Sequence, residues 1–266
     1  MTRRTFLAMA PALIAAPLWT PTAAPAQALQ TPRAGRVERL VNFPSRFVDP
    51  RHVEVWLPPG YDPQAKRYAV LYMHDGQMLF DPSTTWNQKA WHVDEAAARL
   101  MATGQVQDFI VVGPWNNGKF RHAEYFPAKF LPHLPETLRQ GLVAQGLQGR
   151  SQSDAYLRFL MEELKPAIDA KYATRPEREA TFLMGSSMGG LISLYAVLEQ
   201  PQHFGGAAAL STHWPGGFDP KDDSFAQAMC AYLRERLPRL DQQKIWMDHG
   251  TETLDALYPP LQREVD

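Results

Sequence analysis

The pentad Gly185-Ser186-Ser187-Met188-Gly189 has the residue types and spacing for covalent catalysis. It follows an apolar run, Thr181 to Met184, and opens a helical pattern, Met188 to Leu198. A strand, a sharp turn and a helix in that order hold a serine strained and exposed, as a nucleophile elbow. Glycines are expected on both sides because side chains there would collide with the neighbouring helix and strand. The helix N-terminus adds free N–H groups that favour negative charge developing on a substrate. The spacing therefore predicts acyl transfer through Ser187, with the Met188 amide as one oxyanion donor. The second donor is expected from the loop after an earlier central strand, His74-Asp75-Gly76-Gln77-Met78, through the Gln77 amide. His74 reads as a residue that holds this loop by hydrogen bonds.

A nucleophilic serine needs a base, and the base needs an orienting carboxylate. The acid is expected in the loop after the run Lys244 to Met247, with Asp255 preferred and Glu252 as the alternative. Asp248 reads as a cap or turn. In this arrangement the histidine comes last in the chain. The last of the eight histidines is His249, and residues 256–266 contain none. Three accounts compete: a truncated or frame-shifted sequence, a non-sequential base such as His213, or a non-catalytic relative. The first is preferred. It implies very poor turnover and an unpaired sheet edge that invites aggregation.

The elements that must position these groups follow from hydrophobic periodicity. Arg36 to Phe43 and Val53 to Leu57 alternate as half-buried strands. Tyr68 to Met73, Phe109 to Val112, Thr181 to Met184, Ala207 to Leu210 and Lys244 to Met247 are short apolar runs, as in doubly covered parallel strands. Helical patterns span Trp91 to Met101, Ser153 to Tyr172 with Ser153 as N-cap, Met188 to Leu198, and Phe225 to Leu237. Strands alternating with helices predict an α/β fold, a mostly parallel sheet covered on both faces. The Pro-rich stretch from Asn116 to Pro135 is expected to be a long loop over the carboxyl edge.

Charge and composition exclude several function classes. With 27 basic and 28 acidic residues among 266, nothing points to nucleic acid. The single cysteine, Cys230, rules out an internal disulfide and a cysteine zinc site. No metal, phosphate-loop or dinucleotide signature appears, so no cofactor is expected. At the N-terminus, Arg3-Arg4-Thr5-Phe6-Leu7, the apolar stretch Ala8 to Trp19 and Ala26-Gln27-Ala28 form a twin-arginine-type export signal at 1–28. The stretch is too short for a stable membrane anchor. The domain then occupies 29–266, in a periplasmic or secreted protein. Trp86, Trp91, Trp115, Tyr125, Phe126 and Trp214 fall near the carboxyl edge. Trp91, Tyr125 and His213 are the candidate substrate contacts, for a small-molecule ester. Arg121 is expected to cluster with Glu124 and Tyr125 as a structural element.

At these residues the chain resembles the Putative esterase family of α/β-hydrolases, which includes enterochelin, feruloyl and acetylxylan esterases, S-formylglutathione hydrolases and mycolyltransferases. The resemblance rests on His74-Asp-Gly-Gln-Met-Leu-Phe-Asp81, Trp91-His-Val-Asp-Glu95, Arg121-His-Ala-Glu-Tyr-Phe-Pro127, Tyr156 to Pro166, Gly185-Ser-Ser-Met-Gly-Gly190 and Asp248 to Asp255. It implies an α/β-hydrolase fold and a serine carboxylic ester hydrolase. It also implies a final strand and histidine loop that these residues lack. A non-catalytic binding protein on the same scaffold, or an acyltransferase, remains the alternative.

Overall fold

Alternation along the strands sorts side chains into two apolar layers, one on each face of a single sheet. In β3 (Ala69–Met73), Val70 and Tyr72 face the larger layer, while Leu71 and Met73 face the smaller. In β4 (Phe109–Pro114), Ile110 and Val112 divide from Phe109 and Val111 in the same way. A computed structural model describes residues 32–214 and 224–257, with Gln262, Arg263 and Val265. The export signal expected at 1–28 lies outside the described residues.

The seven strands run in the order β1-β2-β4-β3-β5-β6-β7. β1 (Arg36–Phe43) and β2 (Arg51–Leu57) are antiparallel to each other, and β2 is antiparallel to β4. From β4 onward every pairing is parallel, through β5 (Thr181–Ser186), β6 (Gly206–Leu210) and β7 (Lys244–Asp248). The chain steps from β3 to β4 on one side, then returns past β3 to lay β5 on the other. Strand order therefore reverses between β3 and β5, which opens a crevice at their carboxyl ends.

Helices cover both faces. α1 (Val93–Ala102) sets Ala97 into the smaller layer with Trp56, Leu79 and Val111. The larger layer receives α6 (Met188–Glu199), buried through Leu198, and α7 (Ser224–Arg236). It also receives the long helical stretch from Ser153, which is interrupted. α4 (Ser153–Arg158) leads into a wider π turn (Phe159–Leu164) and then α5 (Lys165–Lys171). Pro166 explains the interruption. It has no amide for the Glu162 carbonyl, and its ring would strike that carbonyl in a regular helix.

Two expectations need correction. Ser153 does not cap its helix; buried within the first turn, its Oγ accepts the Ala128 amide at 2.9 Å. The stretch Asn116 to Pro135 is not a structureless loop. It folds into α2 (Arg121–Tyr125) and short 3₁₀ turns, because Ala123, Tyr125, Phe126, Phe130 and Leu134 enter the core. A second short helix, α3 (Glu136–Gly141), follows at the surface.

α2 has five residues and is too short to be stable alone. It is tied down by a buried ion pair. Arg51 on β2 donates from Nη1 and Nη2 to the two oxygens of Glu124, at 2.8 and 2.7 Å, and both side chains are nearly inaccessible. The Arg51 guanidinium also lies over the rings of Tyr156 and Phe159. Removing one partner strands a buried charge. Arg51→Met is expected to cost about 3 kcal/mol or more. Adding Glu124→Leu should recover much of that loss, read as the shift in denaturant midpoint at unchanged slope.

Candidate active site

At the carboxyl end of β5 the chain must reverse into α6 within one residue. Ser187 does this at φ 59°, ψ −120°, a conformation that non-glycine residues rarely adopt. Its amide donates to the Leu210 carbonyl of β6 at 2.9 Å, and the His213 amide donates to the Ser187 carbonyl at 3.3 Å. The turn is thus fixed from the neighbouring strand. Met188 begins α6, so its amide has no partner within the helix and lies beside the serine.

The flanking glycines differ in how strictly they are required. A Cβ on Gly185 would lie 2.4 Å from the Gly189 carbonyl carbon, a backbone collision. A Cβ on Gly189 would come 3.3 Å from Asp75 Oδ2 and 3.4 Å from His74 Cβ, which is tight but not prohibitive. Gly189 is therefore the surface against which the loop after β3 rests.

That loop holds the second unusual backbone. Asp75 sits at φ 60°, ψ 47° in the left-handed region, which Asp tolerates better than most residues. Its carboxylate accepts from Arg121 Nε at Oδ1 and Nη2 at Oδ2, both 2.7 Å, and from Asn116 Nδ2 at 2.7 Å. Its amide donates to the Tyr125 hydroxyl at 3.3 Å. Gly76 then passes so close to β4 that a Cβ would lie 2.1 Å from the Gly113 carbonyl oxygen. The 3₁₀ turn Gly76–Met78 follows, and the Gln77 amide lies in its first turn, without an intrahelical acceptor. The Gln77 side chain accepts the Asn116 amide at 3.1 Å, and its carbonyl accepts Thr84 Oγ1 at 2.6 Å. The loop carrying Gln77 thus meets the start of α6 at Gly189, where a Cβ would come 3.3 Å from Asp75 Oδ2.

His74 is fully buried beneath the loop. Its Nδ1 shares a hydrogen bond with the Tyr156 hydroxyl at 2.9 Å. Burial, with Arg121 adding to it against the pull of Asp75, lowers its pKa to about 4. The ring is neutral at ordinary pH and holds structure. His213, half-buried after β6, is likewise held below the usual imidazole range by burial, His122 and Arg121.

The acid candidates part company. Asp255 Oδ2 accepts from Ser211 Oγ and from the Gly250 amide, each at 2.7 Å, so its carboxylate is seated at the ends of β6 and β7. Glu252 is exposed and takes part through its carbonyl, which accepts the Asp255 amide at 3.2 Å. Asp248 Oδ1 accepts the Ser211 amide at 3.2 Å, a local cap. Because Ser186 pairs with Leu210, and Leu210 with Asp248, Ser187 and the Asp255 loop open on one edge.

Among the expected substrate contacts, Tyr125 is a correction. It is wholly buried, and its hydroxyl serves the Asp75 amide, because an apolar ring with one polar tip suits a layer beneath the site. Phe126 and Trp214 are also core residues, and Trp214 Nε1 donates to Gln262 Oε1 at 2.9 Å. Trp91 is 38% exposed and Trp86 86% exposed, on the chain leaving the loop after β3. The expected cluster of Arg121 with Glu124 divides: Arg121 binds Asp75, and Glu124 binds Arg51. The roles of Asp75, Asn116 and Ser211 were not read from the sequence. The Asp75-Gly76 pair was the available signal, since that dipeptide marks left-handed turns.

His92, Asp94 and Glu95 bring ligand atoms within 4.8 Å of one another. They are already engaged. Glu95 pairs with Arg33 and His92, and Asp94 Oδ2 accepts the Arg33 amide at 2.8 Å in the first turn of α1. A cation there would have to displace the guanidinium and face the positive helix end.

The sequence model of the family described as "Putative esterase" matches residues 45–259. An endo-1,4-beta-xylanase/feruloyl esterase of Xylanibacter ruminicola is 29% identical over 183 residues, covering 63% of this chain and 20% of that protein. The ferri-bacillibactin esterase of Bacillus subtilis is 26% identical over 159 residues, covering 59% of this chain and 52% of that protein. The chain thus spans a fifth to about half the length of these curated relatives. Among solved structures, a ferulic acid esterase superposes with a TM-score of 0.59 at 20% identity, covering 89% of this chain and 88% of the other. This likeness places the fold among α/β-hydrolases.

Two measurements test this geometry. Gly185→Ala should prevent the elbow from forming and lower the folded yield sharply. Gly189→Ala, meeting only side-chain atoms, should fold with a loss of about 1 kcal/mol or less; equal effects would contradict the difference in clearance. Second, a folded-state pKa below the unfolded value of about 6.5 means that the folded form binds the proton less well. His74 should therefore destabilise the fold as pH falls from about 6.5 through about 4, by at most about 1.4 kcal/mol per pH unit. His74→Gln should flatten that acid limb in unfolding titrations.

Proposed function

This chain belongs to the Putative esterase family, and on that premise we propose that it is an exported carboxylic ester hydrolase working through an acyl-enzyme on Ser187. The observation that carries this reading is the strained Ser187 at the head of α6, with the Gln77 loop beside it. Ser187 Oγ attacks the ester carbonyl carbon and loses its proton to a base. The amides of Met188 and Gln77 hold the oxyanion. The tetrahedral intermediate expels the alcohol, which takes the proton from the base, and water then attacks the acyl-enzyme by the same route. Asp255 orients the base, and its Oδ2 is anchored by Ser211 and Gly250 for that task.

The acyl group we propose is aromatic. Trp86 and Trp91 offer exposed rings on the chain next to the Gln77 loop, and an endo-1,4-beta-xylanase/feruloyl esterase stands among the relatives. Export rests on the twin-arginine-type signal at 1–28. No helix among the described residues is long and apolar enough to cross a membrane.

One observation favours a second reading. No histidine follows Asp255 in these residues. Removing a triad member lowers turnover by roughly 10⁴- to 10⁶-fold while leaving about 10³ over water. A chain without such a histidine should therefore hydrolyse esters far below ordinary enzyme rates, and would serve as a binding protein on an esterase scaffold. A fluorophosphonate probe separates the two. Stoichiometric labelling that disappears in Ser187→Ala is the expected result for an activated serine. Absence of labelling, with retained binding of an aromatic ester, would select the binding protein. Turnover of p-nitrophenyl acetate at ordinary enzyme rates would overturn the impairment.

A further inference from the structure

The residues that lead into β1, Arg33, Ala34 and Gly35, form a strap fastened at several points. The Arg33 and Ala34 amides both donate to Asp94 Oδ2, at 2.8 and 3.4 Å. Arg33 Nη1 pairs with Glu95 Oε1 at 2.9 Å. The Ala34 carbonyl accepts Trp56 Nε1 at 2.7 Å. Gly35 turns into β1 at φ 71°, so close to β2 that a Cβ would lie 2.3 Å from the Leu57 carbonyl oxygen. A side chain there would force the strap away from the sheet.

Asp94 is the hub of these contacts. It is buried in the first turn of α1, and its other carboxylate oxygen, Oδ1, has no hydrogen-bond partner among the described residues. The strap amides are thus the hydrogen-bond donors that this buried carboxylate has. The positive end of α1 favours its charge, yet a buried carboxylate stripped of its donors is costly. The helix start has little support of its own. His92, the residue before it, sits at φ 53° and makes no side-chain bond to the first turn.

The start of α1 in turn holds the loop after β3. The Trp91 amide donates to the Met78 carbonyl at 2.8 Å, and the Val93 amide to the Leu79 carbonyl at 3.2 Å. Met78 and Leu79 are the two residues that follow Gln77. Trp56, tied to the strap by its indole, packs with Leu79 in the smaller apolar layer. The strap therefore reaches the same 3₁₀ turn by two routes, through α1 and through Trp56. Thr84 and Asn116 hold Gln77 itself; the strap fixes the peptides just beyond it.

We propose that this strap, gripped by Asp94, sets the position of the Gln77 amide through the start of α1, and that Asp94 is a positioning residue for acyl transfer. The inference rests on the reading of Ser187 and Gln77 given under the proposed function. A donor that meets the oxyanion only as charge develops acts on the rate of the bond-forming step and little on prior binding. Displacing the turn that carries it should show the same division.

Two measurements on the full chain test this. The first is hydrogen exchange. In Asp94→Ala the Met78, Leu79, Trp91 and Val93 amides should exchange about tenfold faster, with strand amides such as Val111 and Leu183 unchanged. The second is labelling of Ser187 by a fluorophosphonate at several concentrations. The maximal rate should fall about tenfold, with the half-saturating concentration within about twofold of the parent. Asp94→Asn keeps an acceptor for the Arg33 amide and should restore most of the rate. Gly35→Val displaces the strap with the carboxylate in place, so it should reproduce both effects and carries the test if Asp94→Ala does not fold. Thermal melting separates local from global loosening. Unchanged exchange at Met78 and Leu79, or equal acceleration at every amide, would overturn the strap whatever Ser187 does. Selective exchange with an unchanged labelling rate would overturn the positioning role. A parent chain that does not label would instead overturn the acyl-enzyme reading and, with it, the role of Asp94 in acyl transfer, while exchange would still decide whether the strap holds the turn.

Discussion

The site depends on the parallel pairing of β3 with β5. Met73 lies opposite Met184, and the His74 amide donates to the Met184 carbonyl at 2.9 Å, the last rung between the two strands; β5 continues to Ser186 against β6 alone. Just beyond it, Asp75 and Ser187 take positive φ values. The strands diverge here because the strand order reverses, so no crossover covers the gap. A one-residue slip would turn every side chain of β5 to the other face. Both layers resist it, since Leu183 is buried in one and Met184 packs into the other.

Charge buried around this pairing sets geometry more than stability. Asp75–Arg121 and Arg51–Glu124 both anchor the segment from Arg121 to Tyr125. A third pair, Arg39–Glu54, lies on β1 and β2, and Glu54 stands opposite Gly113, the glycine that Gly76 approaches. Burial raises the Glu54 carboxyl above its usual range against the pull of Arg39. Such pairs seldom outdo apolar replacements in net stability. What they provide is direction. The Arg51 and Arg121 guanidinium groups each grip both oxygens of their carboxylate, which fixes orientation as well as distance, whereas Arg39 reaches Glu54 through Oε1.

Most strands were legible because their signal is local. Two-residue alternation in β2 and the short apolar runs of β3 to β7 state which segments are strands within five to seven residues. The elbow was legible for the same reason, since its collisions fall between Gly185 and Gly189. Contacts across long stretches were not. Asp75 and Arg121 are separated by 46 positions, and Arg51 and Glu124 by 73. Nothing in either neighbourhood specifies the other partner, so Glu124 was assigned to the arginine nearest in sequence. Tyr125 was misplaced because an amphipathic ring suits a pocket wall or a buried layer equally well. Ser153 carried a capping residue type but spent its hydroxyl on Ala128, from a segment whose fold depended on the same distant contacts.

The tie between α2 and the loop after β3 has a consequence for how this protein could be recombined. Asn116, Arg121 and Tyr125 all end on Asp75, and Glu124 ends on Arg51 of β2. The segment over the crevice and the amide beneath it therefore form one heritable module. A chimera that imports a relative's 116–125 stretch to change substrate preference would import new partners for Asp75 as well. Such grafts should succeed only when Arg51 and the Asp75 loop travel with the segment, so that substrate range diversifies by exchange of whole layers and not of single loops.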